Sequence, residues 1–136
     1  MVIGMKRKFY NELLDWKNEK NHKPLLVKGA RQVGKTYIID EFCSNNYKNV
    51  IKFDLIHDDS LINIFEENKS FELKLKDLEI LCGYKLNDPD TILFVDEVQK
   101  SEKFIEALKY FYESQNNYNI ICAGSLLGVA LNRMKA

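Results

Sequence analysis

A short apolar run, Pro24-Leu25-Leu26-Val27-Lys28, leads into Gly29-Ala30-Arg31-Gln32-Val33-Gly34-Lys35-Thr36, and a helical pattern, Thr36-Tyr37-Ile38-Ile39-Asp40-Glu41-Phe42-Cys43, leads out. This junction restricts the fold more than any other stretch. Its glycines allow a loop whose backbone no side chain blocks, so successive N–H groups can turn inward around an anion. A strand entering and a helix leaving put the helix's unpaired N–H groups and positive dipole end against the same anion. The run fits G-x-x-x-x-G-K-[ST] at every specified position. Gly29, Ala30, Arg31, Gln32, Val33, Gly34, Lys35 and Thr36 are therefore the candidate phosphate-binding residues. Lys35 supplies a point charge for the β- and γ-phosphates, and the Thr36 hydroxyl is a candidate Mg²⁺ ligand.

The rest of the chain alternates. Residues 6–19 predict an amphipathic helix with Phe9, Leu13 and Trp16 on one stripe, broken by Asn21-His22-Lys23-Pro24. Residues 49–55 alternate as a strand. Residues 59–82 hold two helical patterns, the first on Leu61, Ile62 and Phe65, the second on Phe71, Leu75, Leu78, Leu81 and Cys82, with Gly83 as its stop. Thr91-Ile92-Leu93-Phe94-Val95 is continuously apolar, as a strand covered on both faces must be. Ser101 caps a helix whose core face is Phe104, Ile105, Leu108, Phe111 and Tyr112. Residues 118–125 predict a fourth strand, and Leu126 to Arg133 open another helix. Strands alternating with helices give an α/β fold with a mostly parallel sheet, whose ligands bind beyond the carboxyl ends of the strands. The glycine loop, Asp96-Glu97 and Ser125 all fall at such ends.

Ile92-Leu93-Phe94-Val95-Asp96-Glu97 is of the Walker-B kind. The apolar strand carries Asp96 at its tip, where a carboxylate organises a Mg²⁺ shell alongside the loop hydroxyl. Glu97 follows, placed to orient and deprotonate water for attack on a γ-phosphate. Two adjacent carboxylates favour hydrolysis over transfer to a small acceptor, which would require water to be kept out. Ser125 has two readings, a hydrogen bond to the γ-phosphate or attacking water, or a turn and helix cap. Gln99 is a supporting polar group or a solvated loop residue. Arg31 clamps a phosphate oxygen, pairs with Asp96 or Glu97 in the empty state, reaches a neighbouring subunit, or lies on the surface. No Asn-Lys-x-Asp guanine signature is present, since Asn68-Lys69-Ser70-Phe71 lacks the acid, so ATP is the default nucleotide. Phe9 and Tyr10 would flank the purine if the first helix folds over the loop; core packing is the competing reading for Phe9.

Composition narrows the partners. Twenty basic and twenty acidic residues cancel, which argues against affinity for nucleic acid through general basicity. No apolar run approaches the ~20 residues a membrane helix needs. Cys43, Cys82 and Cys122 have neither disulfide nor metal spacing and read as buried free thiols in a reducing, cytoplasmic setting. His22 and His57 are isolated.

Four blocks together resemble the AAA-type P-loop ATPases of bacteria and archaea that join an N-terminal nucleotide-binding domain to a C-terminal nuclease-like domain. The blocks are Lys6-Arg7-Lys8-Phe9-Tyr10 with Leu13-Leu14-Asp15-Trp16-Lys17, the loop Gly29 to Thr36, Phe94-Val95-Asp96-Glu97-Val98-Gln99, and Ala123-Gly124-Ser125-Leu126-Leu127-Gly128-Val129. The resemblance implies a three-layer P-loop NTPase sandwich with strand order 5-1-4-3-2. It also implies ATP and Mg²⁺ binding, Lys35 and Thr36 at the phosphates, Asp96 on the metal, Glu97 as base and Ser125 as sensor.

Residues 1–136 are expected to form a truncated domain of this type, with the N-terminal helix at about 6–19 and the nucleotide core at about 24–133. Against the family pattern, a fifth strand, a helical lid, a second sensor and a trans-acting arginine have no counterpart here. From this the expectations are slow turnover by this chain alone and self-association through an exposed sheet edge. Nucleic acid enters only through a downstream domain. The leading reading is an ATP-hydrolysing module that drives a conformational change; the alternative is a nucleotide-dependent interaction or switch module without significant turnover.

Overall fold

Ser70 and Ser101 show how local sequence sets the helix starts: their hydroxyls accept the backbone N–H of Leu73 and Phe104, at 3.3 and 3.1 Å. The computed structural model describes residues 3–29, 34–114, 116–125, 130–131 and 133–134. Its elements run α1 (Ile3–Asn18), β1 (Leu25–Lys28), α2 (Lys35–Asn46), β2 (Asn49–Asp54), α3 (Ser60–Glu66), α4 (Phe71–Cys82), β3 (Thr91–Asp96), α5 (Glu102–Glu113) and β4 (Ile120–Gly124), with a 3₁₀ turn at Val98–Lys100. The first helix starts three residues earlier than its apolar stripe predicted.

The strands form one sheet in the order β1-β4-β3-β2, every pair parallel. This is the predicted α/β fold, and among the described strands β1 is an edge. Alternation along each strand divides the core into two layers. On one face, Ile92 and Phe94 of β3 and Ile121 and Ala123 of β4 pack with Phe9, Leu13 and Trp16 of α1 and Ile38, Ile39 and Phe42 of α2. On the other, Leu93, Val95, Ile120 and Cys122 pack with Leu61 and Phe65 of α3, Leu78 of α4, and Phe104, Leu108 and Phe111 of α5. β3 is buried at every residue, which is why its sequence is continuously apolar.

Two predicted core positions face outward instead. Leu81 is 49% exposed and Tyr112 42% exposed. α4 turns only Leu78 fully inward, because it packs beside α3 and α5 rather than flat on the sheet. At α5, Ala107 is buried, while the Tyr112 ring lies outward and receives the Lys23 ammonium at 5.3 Å.

The cysteines are free thiols, but Cys82 is only half-buried. His22 is buried and stacked on Trp16 with 4.2 Å between ring centres, while exposed His57 lies 3.0 Å from Asp54 Oδ2. Ala130 is buried against the α5 face, and Arg133 pairs with Glu102 at 3.2 Å. No helix among the described residues is long and apolar enough to cross a membrane.

Candidate nucleotide site

β1 ends at Lys28 and the chain turns at Gly29, whose N–H donates to the carbonyl of Gly124 at 3.1 Å. That bond fixes the start of the glycine run to the carboxyl end of β4. Gly29 and Gly34 have φ of 65° and 72°, in the left-handed region that a side chain disfavours. Gly34 then caps α2, and Lys35 and Thr36 form its first turn. Ala30, Arg31, Gln32 and Val33 lie outside the described residues, as do Leu126 to Val129. The alternatives for Arg31 stand as the sequence left them.

Thr36 Oγ1 is buried and has no hydrogen-bond partner among the described residues. A buried hydroxyl oxygen without a donor or acceptor is costly, and a hard cation such as Mg²⁺ takes oxygen ligands of this kind. Asp96 lies at the tip of β3, nearly fully buried, with Oδ1 accepting the Glu97 N–H at 2.9 Å. Its position in the strand matches Ile92 and Phe94, so it belongs to the face that carries α2. β4 separates β1 from β3, which sets the loop and Asp96 about 10 Å apart at the level of the strands, two spacings of the sheet. The donor set of a hydroxyl and a carboxylate suits Mg²⁺. Burial, followed by the neighbouring Glu97 charge, holds the Asp96 carboxyl above the usual aspartate range. A cation there would oppose both effects.

Glu97 is 4% exposed and has φ 55° and ψ 43°, a left-handed backbone in a residue that is not glycine. Such conformations cost energy and persist where the surroundings impose them. Here the imposition comes from the tight 3₁₀ turn that starts at Val98, closed by Lys100 N–H to Glu97 O at 3.1 Å. Ser125 is an exposed turn residue directly after β4. Asp54, at the end of β2, stands opposite Asp96 in the parallel register. Burial works to raise its pKa, but hydrogen bonds from His57 and the Ile56 amide hold it below the ordinary range.

The structure thus brings Gly29, Gly34, Lys35, Thr36, Asp96, Glu97 and Ser125 to one end of the sheet. The family model for the AAA domain matches residues 21–136. The chain belongs to the AAA domain family. An AAA domain binds nucleotide, and the carboxyl end of this sheet is where the glycine run begins. The match starts after α1, yet α1 reaches this AAA domain's loop lysine: Lys35 Nζ lies 5.1 Å from the centre of the Phe9 ring. No curated protein matches the chain.

Phe9 is therefore both a core residue and a neighbour of the loop. Tyr10 is directed away, its hydroxyl accepting from Asn45 and Asn46 at 3.1 Å each. Sequence reasoning passed over Tyr37, which is 67% exposed at the start of α2 and lines a cleft with Lys6, Arg7, Tyr10 and Glu41. An aromatic residue directly after Lys-Thr, off the helix's apolar face, was the available signal. A separate cavity of about 400 Å³, lined by His22, Pro24, Phe111 and Tyr118, opens at the amino ends of the strands, remote from the loop.

Proposed function

We propose that this AAA domain binds Mg·ATP in the loop Gly29–Thr36 and hydrolyses it, and that loss of the γ-phosphate drives a conformational change in the protein that carries it. The observation that supports hydrolysis most directly is the carboxylate pair at the end of β3, with Glu97 buried and held in a left-handed backbone immediately after Asp96. Lys35 neutralises the β- and γ-phosphates. Thr36 and Asp96 would hold Mg²⁺, which when bound would offset charge on the phosphate oxygens. Glu97 orients a water and accepts its proton as the water oxygen bonds to the γ-phosphorus. The bond from that phosphorus to the bridging oxygen breaks, and ADP leaves with the electron pair. Ser125 hydrogen-bonds the γ-phosphate and so registers whether it is present.

Replacing Glu97 with Gln preserves shape and removes the base. The expected result is a fall in turnover of about 10²- to 10⁴-fold with ATP affinity retained. Unchanged turnover would favour a nucleotide switch without a hydrolytic role for this residue.

A further inference from the structure

Gly124 has ordinary extended backbone in the last position of β4, so its lack of a side chain is not required by φ. The requirement is space. A Cβ built on Gly124 would collide with Gln99 Oε1 and come within 3.3 Å of Gln99 Cδ. The Gln99 amide, the far end of a flexible side chain, occupies the volume that a Cβ at position 124 would claim and would have to move to admit one. Gln99 Oε1 is buried and has no hydrogen-bond partner among the described residues. The amide oxygen thus lies against the strand end without a hydrogen bond from the described residues to hold it there.

Gln99 lies two residues after Glu97, in the same tight turn. Gly124 precedes Ser125, and its carbonyl accepts the Gly29 N–H that opens the phosphate loop. The Gln99–Gly124 contact therefore joins the turn carrying Glu97 to the strand end carrying Ser125 and the loop. We propose that Gln99 is a positioning residue: a shift of the Gly124–Ser125 strand end on contact with a γ-phosphate displaces the Gln99 amide and, through the turn, sets the Glu97 carboxylate. Direct contact between Gln99 and nucleotide is not required. The inference rests on the proposed ATP reading and adds a coupling between its sensor and its base.

The test is a double-mutant cycle on the full chain with Gln99→Ala, Gly124→Ala and the pair. The readout is the ratio of ATP to ADP affinity, measured with fluorescent nucleotide and Mg²⁺, together with thermal midpoints. The expected result is a wild-type preference for ATP that falls at least fivefold in Gln99→Ala, with ADP affinity within twofold of wild type. Gly124→Ala should lose the preference as well, because the new methyl expels the amide. The double variant should be no worse than Gln99→Ala alone, since the shortened side chain makes room for the methyl. An unchanged ATP preference in Gln99→Ala, additive losses in the pair, or equal wild-type affinity for ATP and ADP would overturn the coupling. Wild-type protein that binds neither nucleotide would remove the ATP reading itself, a distinct failure. If Gly124→Ala does not fold, Gln99→Ala alone decides through the ATP-to-ADP ratio.

Discussion

The Lys35 ammonium rests 5.1 Å from the centre of the Phe9 ring, which ties the first helix to the first turn of α2. The lysine of the glycine run is therefore engaged by an aromatic face. An ammonium–ring contact of this kind is worth about 0.5–1 kcal/mol where partly exposed. On the proposed reading, Lys35 gives it up when it turns to a phosphate. Phe9→Leu keeps an apolar side chain at this position and removes the ring. It should bind ATP about two- to fivefold tighter, the affinity equivalent of that energy. Titration with fluorescent ATP checks it; unchanged or weaker affinity in a variant with wild-type thermal stability contradicts it.

Asp96 predicts a pH effect with a definite sign. Its folded pKa is raised by burial, with the Glu97 charge adding to the rise and the Glu97 amide hydrogen bond opposing it, so the folded protein favours the protonated form more than the unfolded chain does. That contribution to stability is fully present below the ordinary aspartate pKa of about 3.9 and is lost as the pH rises through the raised folded value. Asp96→Asn should therefore melt at a higher temperature than wild type at neutral pH without metal. The gap should close as the pH is lowered toward the ordinary aspartate range. Added Mg·ATP should stabilise wild type and not the variant. A variant that melts lower at neutral pH, or gains the same from Mg·ATP, is inconsistent with this account.

The α5 face offers a stability test away from the site. Phe104 is fully buried and meets Phe65 edge-on with 5.0 Å between ring centres. Phe104→Ala should cost about 3–5 kcal/mol in denaturant unfolding. Ser101→Ala removes only the cap and should cost about 0.5–2 kcal/mol. The reverse ranking would contradict the packing described.

The thiols test burial of the sheet from both sides. Burial pushes Cys43 up to about 12 and Cys82 up to about 11, and raises Cys122 as well. At pH 8 the folded protein should react slowly with a thiol reagent, Cys82 first because it is half-buried, and unfolding should release all three. Rapid labelling of Cys122 in folded protein would mean that the layer over β4 is open.

Much of this was legible because the period of the sequence follows the layer. The apolar run at Thr91 to Val95 could only be a strand covered on both faces, and the glycine loop announced the strand before it and the helix after it. Leu81 and Tyr112 misled because a helical stripe gives a direction but not how much of the stripe a neighbouring helix covers. The left-handed backbone of Glu97 was not legible, since no glycine or asparagine marks it in the sequence; it comes with the 3₁₀ turn at Val98–Lys100. In the sequence Gly124 stands only as part of the fourth strand, because its close contact with Gln99 joins residues far apart in sequence. The contact of Phe9 with Lys35 was not legible: the sequence offers Phe9 core packing or a place beside the purine, and the structure shows it in the core with Lys35 against its ring.

The central claim is that the loop Gly29–Thr36 holds Mg·ATP. The most direct measurement is an Mg·ATP titration of the full chain with Lys35→Ala in parallel, folding of both proteins being verified by circular dichroism. The account predicts saturable binding by the wild type that is lost or weakened at least tenfold in the variant. Failure of the folded wild type to bind, or equal binding by both proteins, would contradict it.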